Sequence, residues 1–129
     1  MNTDTFHMLA RLTRAGITES DALKLRRIAM TLHRWHELEC GTESGAVERD
    51  EETGRTYWHN ARTGNRYPTP DRETGALKRL AAIMAEYAPL SYYVQGDPRG
   101  ASLYILRPGD VPVGADPGSY YTNGLAVYA

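Results

Sequence analysis

The chain has 129 residues, a formal net charge of −1 and one cysteine, Cys40. This length suits a single domain with one core, and a lone cysteine excludes an internal disulfide bond. No apolar run approaches the roughly 18 residues of a membrane-spanning helix, so we expect a cytoplasmic protein without a membrane partner. The near-neutral charge disfavours nucleic acid as a partner.

The clearest predicted helix covers residues 18–41. Thr18 can cap its first turn, with Asp21 three positions later, and Gly41 suits its end. The preceding residues 1–16 are expected to form an arm or a short helix that a glycine closes. Apolar residues at helical spacing predict one buried face, formed by Leu25, Ile28, Ala29, Leu32 and Trp35.

Residues 46–68 predict a β-meander between the helices. Two turn signals, EETG and ARTG, separate short runs with aromatic residues, and the string TGRTY recurs ten residues later as TGNRY. The glycines stand where hairpin turns need positive φ. The spacing therefore predicts two matching hairpins.

The string GRTYWHNARTGNRYPTP resembles the middle of a WW domain, a module that binds proline-rich peptides. Tyr57 and Trp58 match its paired aromatics and Pro70 its closing proline, over about seventeen residues. Tyr67 stands where the family has its ligand-gripping tryptophan, and the leading tryptophan is absent. The resemblance therefore implies hairpins rather than peptide recognition.

A second helix is predicted over residues 69–87, with Thr69 as its N-cap and Pro70 at its first helical position. Residues 90–128 then predict a hairpin, a loop rich in proline and glycine, and a final edge strand. The order indicates an α+β fold over residues 1–129, in which two main helices pack on a small antiparallel sheet and the meander lies between them.

The string HRWHELEC places His33, His36 and Cys40 near one helix edge, a spacing that can bring ligands onto a metal ion. A closed site needs a fourth ligand from elsewhere, and the metalloprotease signature HExxH is absent. A buried cysteine or histidine is more often part of the packing. We therefore expect neither metal nor cofactor, and keep these three residues as the centre of an alternative function, a metal-dependent or nucleotide-processing enzyme.

The hairpin string YYVQGDPRGASLYIL offers a candidate binding site. Arg99 follows Asp97 and Pro98 at the predicted tip, where a guanidinium can make paired hydrogen bonds to phosphate or carboxylate. Tyrosines nearby add stacking surface and hydroxyl groups. In the alternative interpretation the charges are solvated and the tyrosines are simply good strand formers. The predicted binding residues are Arg99, Asp97, Tyr92, Tyr93 and Tyr104, with Tyr57 and Trp58 from the meander.

Three strings, LRRIAMTLHRWHELECG, DRETGALKRLAAIM and YYVQGDPRGASLYIL, resemble small uncharacterised proteins of phages and prophages of GC-rich bacteria, over most of residues 22–128. The resemblance implies expression of an accessory gene in a bacterial host cell. We expect a non-enzymatic protein that neutralises a host protein, as an anti-CRISPR-like or other anti-defence inhibitor does, or that sequesters a small nucleotide signal. An exposed final strand can pair with the same strand of a second copy, so a homodimer is a further alternative.

Overall fold

The computed structural model describes residues 3–36, 45–60, 62–96, 101–110, 112–113, 121–122 and 124–128. The helices are α1 (Thr3–Arg14), α2 (Glu19–Trp35) and α3 (Asp71–Met84), and a 3₁₀ turn follows at Ala85–Tyr87. The strands are β1 (Gly45–Arg49), β2 (Thr56–Asn60), β3 (Arg66–Pro68), β4 (Ser91–Gly96), β5 (Ala101–Leu106), β6 (Pro112–Val113), β7 (Tyr121–Thr122) and β8 (Leu125–Tyr128). The predicted α+β class is confirmed.

Six strands form one antiparallel sheet in the order β3-β2-β1-β4-β5-β8. The meander and the C-terminal strands are its two halves, joined where Gly45 pairs with Gly96 and Ala46 with Gln95. A separate ribbon of β6 and β7 lies within the stretch that the sequence assigns to a loop and to the start of the final strand. No helix in the described part of the chain is long and apolar enough to cross a bilayer.

The core lies between the helices and one face of this sheet. All five residues of the predicted apolar face of α2 are buried, as are Leu103, Ile105 and Val127 of the sheet. The N-terminal segment forms a helix, the second of the two predicted alternatives, and it buries Met8 and Leu12. α2 itself ends at Trp35, and the predicted end at Gly41 lies outside the described residues.

Thr18 caps the start of α2 as predicted, and the Tyr87 hydroxyl adds a second link there. The Thr18 hydroxyl accepts a hydrogen bond from the Asp21 N–H at 3.2 Å. The Thr18 N–H donates to the Tyr87 hydroxyl at 3.3 Å, which in turn donates to the Asp21 carboxylate. The hydrogen bond from Tyr87 is the main cause that holds the pKa of Asp21 below its ordinary value of 3.8. The charge of Lys24, whose Nζ lies 3.7 Å from Asp21 Oδ1, acts in the same direction. The link joins the beginning of α2 to the 3₁₀ turn that follows α3, and the two helices pack against each other, so they run antiparallel.

The ten-residue recurrence seen in the sequence corresponds to two turns of the same construction. The Asp50 side chain accepts hydrogen bonds from the backbone amides two and three positions later, at 2.9 and 3.3 Å. Asn60 does the same at 2.9 and 3.0 Å. Each turn closes on a glycine with positive φ, 73° at Gly54 and 76° at Gly64. The two predicted matching hairpins are therefore present.

Candidate functional site

The tyrosines that the sequence groups around the hairpin do not share one surface. Tyr92 and Tyr93 are consecutive in β4, so their side chains lie on opposite faces of the sheet. Tyr93 packs with Tyr104 on the far face, where Tyr104 is only 7% exposed. Tyr92 lies on the helix-facing side and remains accessible. Asp97 and Arg99 lie outside the described residues.

Trp58 belongs to the interior rather than to a binding surface. Its side chain is 2% exposed and meets Trp35 edge-on, with ring centroids 5.8 Å apart. The centre of the His36 ring lies 5.1 Å from that of Trp58. Strand alternation explains the difference from the prediction, because Trp58 faces the helices while Tyr57 faces away from them.

Tyr57 takes part in a polar cluster on the outer face of the meander. The Arg66 guanidinium lies 4.5 Å from the centre of the Tyr57 ring. The Glu48 carboxylate lies between them, with Oε1 2.5 Å from His59 Nδ1 and Oε2 3.4 Å from Arg66 Nε. Tyr67 is paired opposite Trp58, so it faces away from Tyr57. The two aromatics of a WW-type peptide groove therefore do not meet on one face.

The structure describes two of the three candidate metal ligands, His33 on α2 and His36 at its C-terminal end. His36 is buried against Trp58, and His33 is half-buried one turn earlier on α2. Cys40 lies outside the described residues. Within the ranges that the structure describes, no three His, Cys, Asp or Glu side chains are grouped to hold a metal ion.

A cleft of about 270 Å³ opens between α3, β4 and the first two strands. Apolar side chains from the strands and from α3 line its interior, and Tyr92 stands beside them. This volume is close to the lower end of the range for small-molecule sites, about 300–1,000 Å³. The lining consists of Val47, Arg49, Gly54, Thr56, Thr74, Leu77, Lys78, Ala81, Tyr92, Tyr93 and Val94.

The charge of this cleft is entirely positive among its described lining residues. Arg49 comes from the end of β1 and Lys78 from the middle of α3, and no Asp or Glu accompanies them. Neither cation forms an ion pair within the described ranges. Both side chains are exposed, so they can reach an anion at the opening of the cleft.

A chain of three threonine hydroxyls fixes one wall of the cleft. The Thr69 hydroxyl oxygen lies 2.5 Å from the Thr56 hydroxyl and 2.6 Å from the Thr74 hydroxyl. These two hydrogen bonds connect β2 to the first turn of α3. The sequence predicts Thr69 as the N-cap of α3, but Pro70 is the N-cap residue and makes no side-chain cap. The predicted position is wrong by one residue, because the Thr69 hydroxyl bonds other threonines instead.

Among the residues that line the cleft, the sequence predicts only Tyr92 and Tyr93 as binding residues. Arg49 and Lys78 lie 29 positions apart and belong to different elements, so no local pattern connects them. No protein-family model matches the chain, and neither a curated protein nor a solved structure shows significant similarity to it.

Proposed function

We propose that the chain is a non-enzymatic binding protein that takes up a small anionic ligand with a flat, largely apolar body, of the mononucleotide class. The observation that carries this proposal is the cleft, which combines an apolar interior with two cations and no carboxylate among its described lining residues.

Each part of the lining suits one part of such a ligand. The apolar side chains of Val47, Leu77 and Val94 can cover a planar ring, and Tyr92 offers an aromatic face for stacking. Stacking on an aromatic side chain contributes about 1–3 kcal/mol per base and tolerates any base. Arg49 and Lys78 can hold the phosphate, the first by paired hydrogen bonds and the second as a point charge.

The kinds of side chain that line the cleft favour binding over catalysis. A hydrolytic or transfer reaction normally needs a nucleophile activated by a base, or an acid–base group near the substrate. The described lining contains no His, Cys, Asp or Glu, and its Thr56 and Thr74 hydroxyls are bonded to Thr69. The lining therefore holds a ligand better than it transforms one.

The resemblance to phage and prophage proteins suggests a purpose for such binding. A protein that sequesters a nucleotide signal would deprive a host defence system of its activator. Tyr92 belongs to the hairpin whose predicted tip carries Arg99, so we keep Arg99 as a further contact to be tested by substitution.

Thermal unfolding with a ligand panel tests the proposal. AMP, GMP, CMP and UMP are compared with their nucleosides and with inorganic phosphate. A nucleotide present at 100 times its dissociation constant raises the free energy of unfolding by about 2.7 kcal/mol. We expect stabilisation by at least one nucleotide and a much smaller effect of its nucleoside.

Substitutions then assign the binding to the cleft. Arg49→Gln and Lys78→Gln should each weaken nucleotide binding at least tenfold in calorimetric titration, about 1.4 kcal/mol. Arg55→Gln is the matched control, because Arg55 is exposed outside the cleft lining. Equal affinity for nucleotide and nucleoside, or no stabilisation by any of the four nucleotides, contradicts the proposal.

A further inference from the structure

A second recess lies on the other flank of α3, along its seam with α2. Lys24, Arg27 and Thr31 border it on α2, and Arg79 borders it on α3. Ile28 and Ile83 form its apolar floor, and its volume is about 340 Å³. Lys78 and Arg79 are neighbours in sequence, yet they line different recesses because successive helical residues are turned by about 100°.

The positive charge extends along the seam beyond this recess. Arg34 follows Arg27 by seven residues on α2, and Arg72 precedes Arg79 by seven on α3. Seven residues are nearly two turns, about 10.5 Å along the axis, so each pair lies on one side of its helix. Because α2 and α3 run antiparallel, Arg34 and Arg72 fall toward the same end of the seam.

These arginines are not neutralised within the described part of the chain. No carboxylate there lies within ion-pair distance of Arg27, Arg34, Arg72 or Arg79. Lys24 differs, since Asp21 lies 3.7 Å from its ammonium group. The seam therefore offers two rows of arginines on either side of an isoleucine floor.

We infer that this seam is a docking surface for an acidic amphipathic helix of a partner protein. Carboxylates seven residues apart on such a helix match the spacing of the arginines on both sides, and one apolar side chain between them can enter the recess over Ile28 and Ile83. This surface is distinct from the proposed nucleotide cleft and does not depend on it.

The apolar floor favours a peptide over a nucleic acid. A duplex presents phosphates and sugars, which gain little from two isoleucines, and its binding depends mainly on the total positive charge. The net charge of the chain is −1, so its positive charge is local rather than global. An acidic helix uses both the cations and the floor.

Fluorescence anisotropy with a designed probe tests this inference on the full chain. The probe is a fluorescein-labelled helical peptide of three heptads, with leucine at one position of each heptad and glutamate on both sides of it. A second peptide carries lysine in place of glutamate, and a labelled DNA duplex is the third probe. We expect binding of the glutamate peptide alone, weakened by added salt as expected for charge pairing.

Paired variants locate the binding. The double variant Arg27→Glu with Arg79→Glu should bind the glutamate peptide at least tenfold more weakly. Arg14→Glu with Arg55→Glu makes the same change in net charge at exposed positions outside the recess, and it should leave the affinity within a factor of two. Circular dichroism melts of both double variants establish that each is folded under the assay conditions.

Three results would overturn the inference. The first is tighter binding of the duplex than of the glutamate peptide, which would make the seam a nucleic-acid surface. The second is equal loss of peptide binding in both double variants, which would reduce the effect to net charge. The third is self-association of the chain alone at low salt that Arg27→Glu with Arg79→Glu abolishes, which would make a second copy the occupant.

Discussion

Replacement of Gly45 by alanine should destabilise the protein, because the indole of Trp58 occupies the place of the missing side chain. A Cβ added at Gly45 would lie 2.3 Å from the His59 carbonyl oxygen and 2.5 Å from Cζ2 of Trp58. Gly45 also pairs with Asn60 on one side and with Gly96 on the other, at the junction of the two halves of the sheet. Neither strand can move away without loss of that pairing.

The magnitude follows from two opposing effects. Overfilling a packed interior costs about 1–3 kcal/mol, and a clash with backbone favours the upper part of that range. Alanine also restricts the unfolded chain, which returns about 0.4–1 kcal/mol. We therefore expect a net loss of about 2 kcal/mol in the free energy of unfolding, measured by urea denaturation with an unchanged slope.

Gly75→Ala provides a matched control with the opposite sign. Gly75 lies inside α3, and the nearest atom to an added Cβ is the Arg79 guanidinium at 3.5 Å, an ordinary contact. Alanine in a helix interior is more favourable than glycine by about 0.5–1 kcal/mol. If Gly45→Ala changes stability by less than about 0.5 kcal/mol, the ring is free to move aside and the packing described at this junction is refuted.

Two further predictions concern single hydrogen-bonded links. In Tyr87→Phe the pKa of Asp21 should rise toward its ordinary value of 3.8, because the largest cause of its lowering is removed. The stability contributed by the lowered pKa is present above pH 3.8 and is lost as pH falls through the native value, so wild type and variant should differ at pH 7 and converge in strong acid, as followed by urea denaturation. Asn60→Ala should cost more than Asp50→Ala in the same assay, up to about 2 kcal/mol, since both turns use the same bonds but Asn60 is buried; equal losses would show that burial adds nothing.

Features of the fold that arise from local periodicity could be predicted from the sequence. The buried face of α2 follows from apolar residues at helical spacing, and the twin turns follow from the strings EETG and ARTG, each of which ends in a glycine of positive φ. The predicted positions of the helix ends are less accurate. At Pro70 the difference arises because the Thr69 hydroxyl has competing partners in Thr56 and Thr74, and one of these is distant in sequence.

The candidate site could not be predicted, because it depends on contacts between distant residues. Gly45 pairs with Gly96 to join the meander to the C-terminal strands, and this pairing brings Arg49 near Tyr92. No spacing in the sequence encodes such a junction. The sequence draws attention to the tyrosines, but their opposite orientations in β4 become clear only when one face of the sheet is known to be buried.

The small net charge of the chain hides a separation of charge that has consequences for its partners. Glu51 and Glu52 are exposed in the turn after β1, whereas Lys78 and Arg79 border recesses on the two flanks of α3. A near-neutral total argues against attraction to nucleic acid at long range, where all charges contribute. At short range only the local charges contribute, since the screening length is about 8 Å in physiological salt. The same helix therefore places cations at two separate recesses, which are the proposed sites for a small anionic ligand and for an acidic helix, in a protein whose overall charge suggests neither.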